Sequence, residues 1–228
     1  MNPPILIPQI QLPLAQQQRP PAFISFAAEI VPQTTEALIG AMANFVNQGF
    51  KQIHLLLSTP GGSVMHGITI YNILRGLPIT LITHNVGNVD SIGAVVFLAG
   101  EKRYACPQAT FMLHGVAFGT NVPAQFYERN LKERLASVQA DQERIKAIYN
   151  DRAGIDPETA EKFFLGESTI SAADGIKVGL AHELRPVEIP AGSPVLQLVF
   201  NRQGGKLLQH GQGSSSPNGA GILTPRQF

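Results

Sequence analysis

Three short segments carry residue types that could act together on a carbonyl. Ser91 stands between a polar loop, GNVD at residues 87–90, and the small, apolar run IGAVVFLAG. His114 closes the apolar stretch ATFMLH, and STPGGSV at residues 58–64 supplies two adjacent glycines. A serine hydroxyl attacks a carbonyl only when an imidazole takes its proton, and the oxyanion formed needs preorganised N–H donors. Adjacent glycines let a backbone approach a ligand closely and turn an N–H outward. Nucleophile, base and oxyanion donors are therefore all represented.

Each part has a plainer reading. Pro60, Gly61 and Gly62 make an ordinary turn, Ser91 before an apolar run makes an ordinary helix N-cap, and His114 beside Leu113 makes a core histidine. His54, His66 and His84 are rival imidazoles, and their spacing matches no zinc motif. No metal and no cofactor are expected.

The elements that must position these groups alternate. FISFAAEIV at 23–31 reads as a strand, and the segment that follows sets Leu38, Met42, Phe45 and Val46 on one helical face. IHLLLS at 53–58 reads as a buried strand ended by Pro60, Gly61 and Gly62, with a helix from about Ser63 to Gly76. The strand PITLIT at 78–83, the Ser91 loop, an apolar helix over 92–99 and the strand ATFMLH follow. Residues 123–150 have helical composition and end near Gly154. Such alternation predicts an α/β fold of stacked βα units on a mainly parallel sheet, with chemistry at the strand-to-helix junctions.

Composition bounds the rest. With 228 residues of which 44% are hydrophobic, the chain can bury one sizeable core. Seventeen basic and sixteen acidic residues leave a charge of +1, so neither nucleic acid nor an anionic membrane is an expected partner. No apolar run approaches the ~20 residues that span a bilayer. Six prolines interrupt residues 1–21 and the first basic residue is Arg19, the reverse of a signal peptide, so this segment is expected to be a Pro-rich arm. The single Cys106 and the missing signal point to the cytoplasm. A globular domain is expected over 22–200 and a Gly/Ser-rich flexible tail over 201–228.

Taken in order, the segments resemble the proteolytic subunit of the Clp protease, the ClpP-like serine peptidases of the wider ClpP/crotonase fold. STPGGSVMHGITIYNIL is similar to the family's S-P-G-G-S-V stretch with its later Gly and I-Y. GNVDSIGAVVFLAGEKRYACPQATFMLH is similar to the nucleophile loop, its helix, the A-G-x-K-R connection and the strand ending in the catalytic His. STISAADGIKVGLAHEL resembles the segment around the family's S-A pair. The likeness spans roughly residues 22–185.

The resemblance implies a ClpP/crotonase-like fold with a protruding handle helix and a serine endopeptidase acting on peptides or unfolded proteins. Ser91 would be the nucleophile and His114 the general base, with the amides of Gly62 and Ile92 as the oxyanion hole. The family's third triad member, an Asp four residues before the S-A pair, falls on Glu167, with Asp174 and Asp156 as weaker substitutes. Asp90 stands where the family carries a small residue; it would either repel the developing oxyanion or face away.

After His114 the chain reads HGVAFGTNVPA and lacks the family's Gln-Pro. Phe126, Leu135, Val138 and Ile145 of the handle would pack on another subunit or on their own domain. Homo-oligomeric heptameric rings are implied; the arm shows no likeness to the family's axial loops, and nothing in the sequence supports an AAA+ unfoldase partner. The alternatives are a noncatalytic ring subunit, a crotonase-type acyl-CoA enzyme, and a Ser/Lys peptidase using Lys102.

Overall fold

The structure is a computed structural model that describes residues 19–117, 119, 126–200 and 207–209. Strand β1 (Ala22–Ala27) leads to helix α1 (Pro32–Asn47), then β2 (Gln52–Thr59), α2 (Val64–Gly76), β3 (Thr80–Asp90) and α3 (Gly93–Phe97). β4 (Lys102–Ala105) and β5 (Thr110–Leu113) precede α4 (Glu128–Ala153), α5 (Pro157–Gly166), β6 (Ser168–Ser171) and α6 (Ala172–Lys177). β7 (Glu183–Leu184), β8 (Val195–Phe200) and β9 (Leu207–Gln209) complete the described elements.

The sheet runs β6-β5-β3-β2-β1-β8-β9, with β4 branching from β3 and carrying β7. β1, β2, β3, β4, β5, β7 and β8 pair in parallel, while β6 and β9 are antiparallel additions. The apolar run of β2 is explained by this place: Ile53, Leu55 and Leu57 are fully buried between neighbours on both edges. The α/β expectation of stacked βα units on a mainly parallel sheet holds.

Four boundaries differ from the sequence reading. The strand expected over 78–83 runs to Asp90, through the polar residues read as a loop. β3 forks, pairing with β4 over Ile82–Asn85 and with β5 over Asn88–Asp90. Its polar side chains serve that fork: Thr83 Oγ1 donates to the Phe97 carbonyl at 2.8 Å and Asn85 Nδ2 to the Thr110 carbonyl at 2.8 Å. The first strand stops at Ala27, and Ile30 forms an isolated bridge with Gly62. The helix expected over 92–99 is only five residues long. β9 falls inside the residues 201–228 read as a tail, and its three residues pair with β8. The rest of that segment and residues 1–18 of the arm lie outside the described residues.

Helix α4 matches the handle. Its 26 residues span about 39 Å at 1.5 Å per residue, and residues 128–137 are all exposed. It ends where Gly154 takes φ 69, the left-handed C-terminal position glycine favours. Of the apolar residues expected to pack, Ile145 enters the domain's own core, Val138 is half-buried, and Phe126 and Leu135 remain exposed. Among the described residues no helix is long and apolar enough to cross a membrane.

A histidine pair crosses β2 and β3. His54 Nδ1 and His84 Nε2 lie 2.8 Å apart, His54 stacks on Phe23, and His84 meets the Tyr104 ring that carries Arg185. Burial pushes both imidazoles down to about 4, so the fold holds them neutral while the unfolded chain protonates them near pH ~6.5. Their contribution is present in full above pH ~6.5 and is lost as pH falls towards 4. The free energy of urea unfolding should therefore fall between pH 7 and 4.5, by on the order of 2 kcal/mol once solvent screening of the half-buried His54 is allowed for. The double variant His54→Leu/His84→Leu should flatten that slope; an unchanged slope would clear the pair of this role.

Candidate active site

Ser91 follows the last residue of β3 in a conformation side chains rarely adopt, with φ 57. Its N–H donates to the Met112 carbonyl at 2.7 Å, and its carbonyl accepts from Ala94 N–H at 3.0 Å. The backbone is thereby over-determined, as a strained position requires. The N-cap of α3 is Ile92, not Ser91, and no side chain caps that helix. The Ser91 hydroxyl is thus not spent as a cap, which removes the plainer reading of this residue.

The glycine turn packs directly on this elbow. Gly61 has φ 88, and a Cβ there would lie 2.7 Å from Ser91 Cβ and 2.8 Å from the Asp90 carbonyl oxygen. Gly62 has φ 140, and a Cβ on it would lie 2.3 Å from the Ile30 carbonyl oxygen. The bridge explains this closeness: Ile30 N–H donates to Gly61 and Ser63 N–H to Ile30, at 2.7 and 2.9 Å. Among the described residues the N–H groups of Gly62 and Ile92 reach no acceptor. Both residues border the same cleft; Gly62 is exposed to solvent there, whereas Ile92 is buried, and a buried amide without a partner is rare enough to call for a reason.

That cleft, of about 90 Å³, is lined by Gly62, Ser91, Ile92 and His114. The structure brings four of the five expected site residues together. Val64, Val116, Ile145 and Tyr149 make the remaining wall largely apolar. Ile145 and Tyr149 come from α4, and Tyr149 was not marked in the sequence. A signal existed, since they are an i, i+4 apolar pair on that helix. Full burial pushes the Tyr149 phenol well above its ordinary range, so it stays uncharged.

His114 directly follows β5 and is half-buried, and no hydrogen bond joins its ring to Ser91 or Glu167. Catalytic hydrogen bonds are often long before substrate binds. None of the rival imidazoles reaches the cleft. His54 and His84 hold each other, His66 Nδ1 lies 2.9 Å from Ser63 Oγ, and His182 accepts from Arg103 N–H at 3.2 Å.

Glu167 is not brought into the cleft. It is an exposed residue at the C-cap of α5, with φ 43. The antiparallel ladder ends at the pair Leu113 and Ser168, so His114 and Glu167 are the chain neighbours of its last pair; beyond it the register breaks, with Gly115 N–H donating to the Phe164 carbonyl at 3.1 Å. The substitutes are engaged elsewhere. Asp156 caps α5, accepting from the Thr159 hydroxyl and from the Thr159 and Glu158 N–H groups, and these bonds hold its carboxyl below the usual range. Asp174 is held low by Lys177 and Ser171. Asp90 accepts from Asn88 Nδ2 at 2.6 Å and does not border the cleft, so it faces away from a developing oxyanion. Lys102 is exposed and also lies outside it. Among the described residues no group of three or more His, Cys, Asp or Glu converges to hold a metal.

This geometry can bind a carbonyl, deliver a hydroxyl to it and receive an oxyanion. A family model described as Clp protease matches residues 19–186, which contain every residue of the cleft.

Proposed function

From its place in the Clp protease family, to which this chain belongs, we propose that the protein is a serine endopeptidase acting through an acyl-enzyme on Ser91. The observation that carries this reading is the convergence of four features on one cleft: the strained Ser91, His114, and two amides without acceptors at Gly62 and Ile92. Ser91 Oγ attacks the scissile carbonyl carbon while His114 takes its proton, and the amides of Gly62 and Ile92 receive the oxyanion. His114 then returns the proton to the leaving amine, and water releases the acyl group by the same route. The apolar wall of Val64, Ile145 and Tyr149 would take an apolar substrate side chain. Glu167 would orient His114 from beside the end of the β5–β6 ladder, a role supported only by both residues adjoining its last pair, Leu113 and Ser168.

Members of this family form oligomeric rings. A homo-oligomer of this chain is supported by the exposed Leu131 and Leu135 of the handle. Peptides or unfolded proteins are the substrates proposed, in a cytoplasmic setting consistent with the lone Cys106. The exposed Glu167 and the missing Ser91 to His114 hydrogen bond favour a noncatalytic ring subunit as the second reading.

Labelling the assembled protein with a fluorophosphonate and locating the adduct by mass spectrometry separates the two. One adduct per chain, on Ser91, is expected. No adduct from mildly acidic to alkaline pH would leave the noncatalytic subunit standing.

A further inference from the structure

Helix α3 is too short to hold its own position, yet its first residues follow the Ser91 elbow directly. Its far end is clamped from outside. Thr83 Oγ1 donates to the Phe97 carbonyl, Arg152 Nε to Leu98 at 3.1 Å, and Arg152 Nη2 to Gly100 at 3.1 Å. Arg103 is 4% exposed. Its guanidinium donates to the carbonyls of Gly100 at 3.4 Å, Leu180 at 2.7 Å, Gly179 at 3.1 Å and Arg152 at 2.9 Å.

Neither guanidinium forms an ion pair with a carboxylate among the described residues. Burial and the neighbouring Arg152 push Arg103 down to about 10, which leaves it charged at neutral pH. Two like charges held together without a carboxylate are an expensive way to fill space. What they supply instead is a planar fork of several donors, matched to carbonyls that converge from α3, α4 and the turn after α6. Arg152 belongs to the last turn of α4, one turn beyond Tyr149 and two beyond Ile145, the residues that wall the cleft.

We propose that Arg152, seated against Arg103, is a positioning residue for the nucleophile elbow: its guanidinium ties the far end of α3 to the α4 wall and so sets their spacing. The inference rests on the peptidase reading for its catalytic consequence, because spacing matters to rate only if Ser91 attacks a carbonyl bound against that wall. A displacement of about 1 Å in such a pair costs on the order of a hundredfold in rate. A lysine would keep the charge but lose the fork, reaching one carbonyl instead of two.

The test uses the full chain with Arg152→Met and Arg152→Lys, the second being the milder change. Hydrogen exchange is followed at the α3 amides, with β2 amides as reference, alongside the phosphonylation rate per labelled site and kcat and KM on a peptide. In Arg152→Met the α3 amides should exchange at least ~10-fold faster with β2 unchanged. Phosphonylation per labelled site and kcat should each fall at least ~10-fold, with KM and the final labelled fraction unchanged. Arg152→Lys should fall between, and millimolar guanidinium should restore part of the Met variant's rate. The proposal is overturned if α3 exchange matches wild type. It is equally overturned if α3 and β2 loosen together while the rate per labelled site holds, since that is a stability role alone. Wild-type protein that takes no phosphonate at all would instead sink the peptidase reading, and the exchange data would then decide the tether by themselves.

Discussion

Alanine at His114 should lower peptide hydrolysis by on the order of 10⁴-fold and abolish fluorophosphonate labelling, with far-UV circular dichroism and urea midpoint unchanged. The serine hydroxyl cannot lose its proton at neutral pH without a base in the cleft, and His114 is the only imidazole among the described residues that borders it. Folding should be spared because the ring makes no hydrogen bond among the described residues and is only half-buried. Ser91→Ala should cost about as much, and the double variant no more, since nucleophile and base act as one unit. Glu167→Gln belongs to the same series. It should cost less, on the order of a hundredfold, because Glu167 and His114 flank the last pair of the β5–β6 ladder while Glu167 stands outside the cleft. Full activity in His114→Ala would move the base elsewhere, and an unchanged rate in Glu167→Gln would leave a Ser/His pair without a third member.

Two glycines with nearly the same φ separate strain from geometry. Gly61 and Gly49 have φ 88 and 86, so alanine at either costs a similar ~1–2 kcal/mol of left-handed strain. Around Gly49 an added Cβ meets nothing within 4 Å, whereas at Gly61 it would lie 2.7 Å from Ser91 Cβ. Gly49→Ala should therefore lower the thermal midpoint and leave activity per folded molecule intact. Gly61→Ala should lower it as well and also cut activity on the order of a hundredfold or more, because the elbow must shift away from the oxyanion amides. Equal activity per folded molecule in the two variants would show that the elbow tolerates displacement.

The local pieces were readable from residue types because each is built from chain neighbours. Ser91 after a polar loop, His114 at the end of an apolar strand and the Gly61-Gly62 turn each announce themselves within a few residues. The apolar run of β2 identified a strand buried on both faces for the same reason. The extent of β3 was not readable, since Thr83, Asn85 and Asn88 look like loop residues until their partners are known. A forked strand needs polar side chains at the fork, and their acceptors come from residues 14 and 25 positions away.

Tertiary structure alone decided whether these pieces meet. Sequence could not tell a capping serine from a free one; the backbone of Ser91 at φ 57 and the N-cap at Ile92 do so. It could not discard Asp90, Asp156 or Asp174, whose hydrogen bonds remove them from the cleft. Nor could it show that Arg152 reaches Leu98 across 54 residues, or that Tyr149 walls the same cleft. The physical reason is one of range. Residue type and near-neighbour spacing encode which groups are chemically competent and which backbone turns they occupy. Which competent groups share a cleft, and which are spent on other partners, is settled by packing between segments distant in the chain.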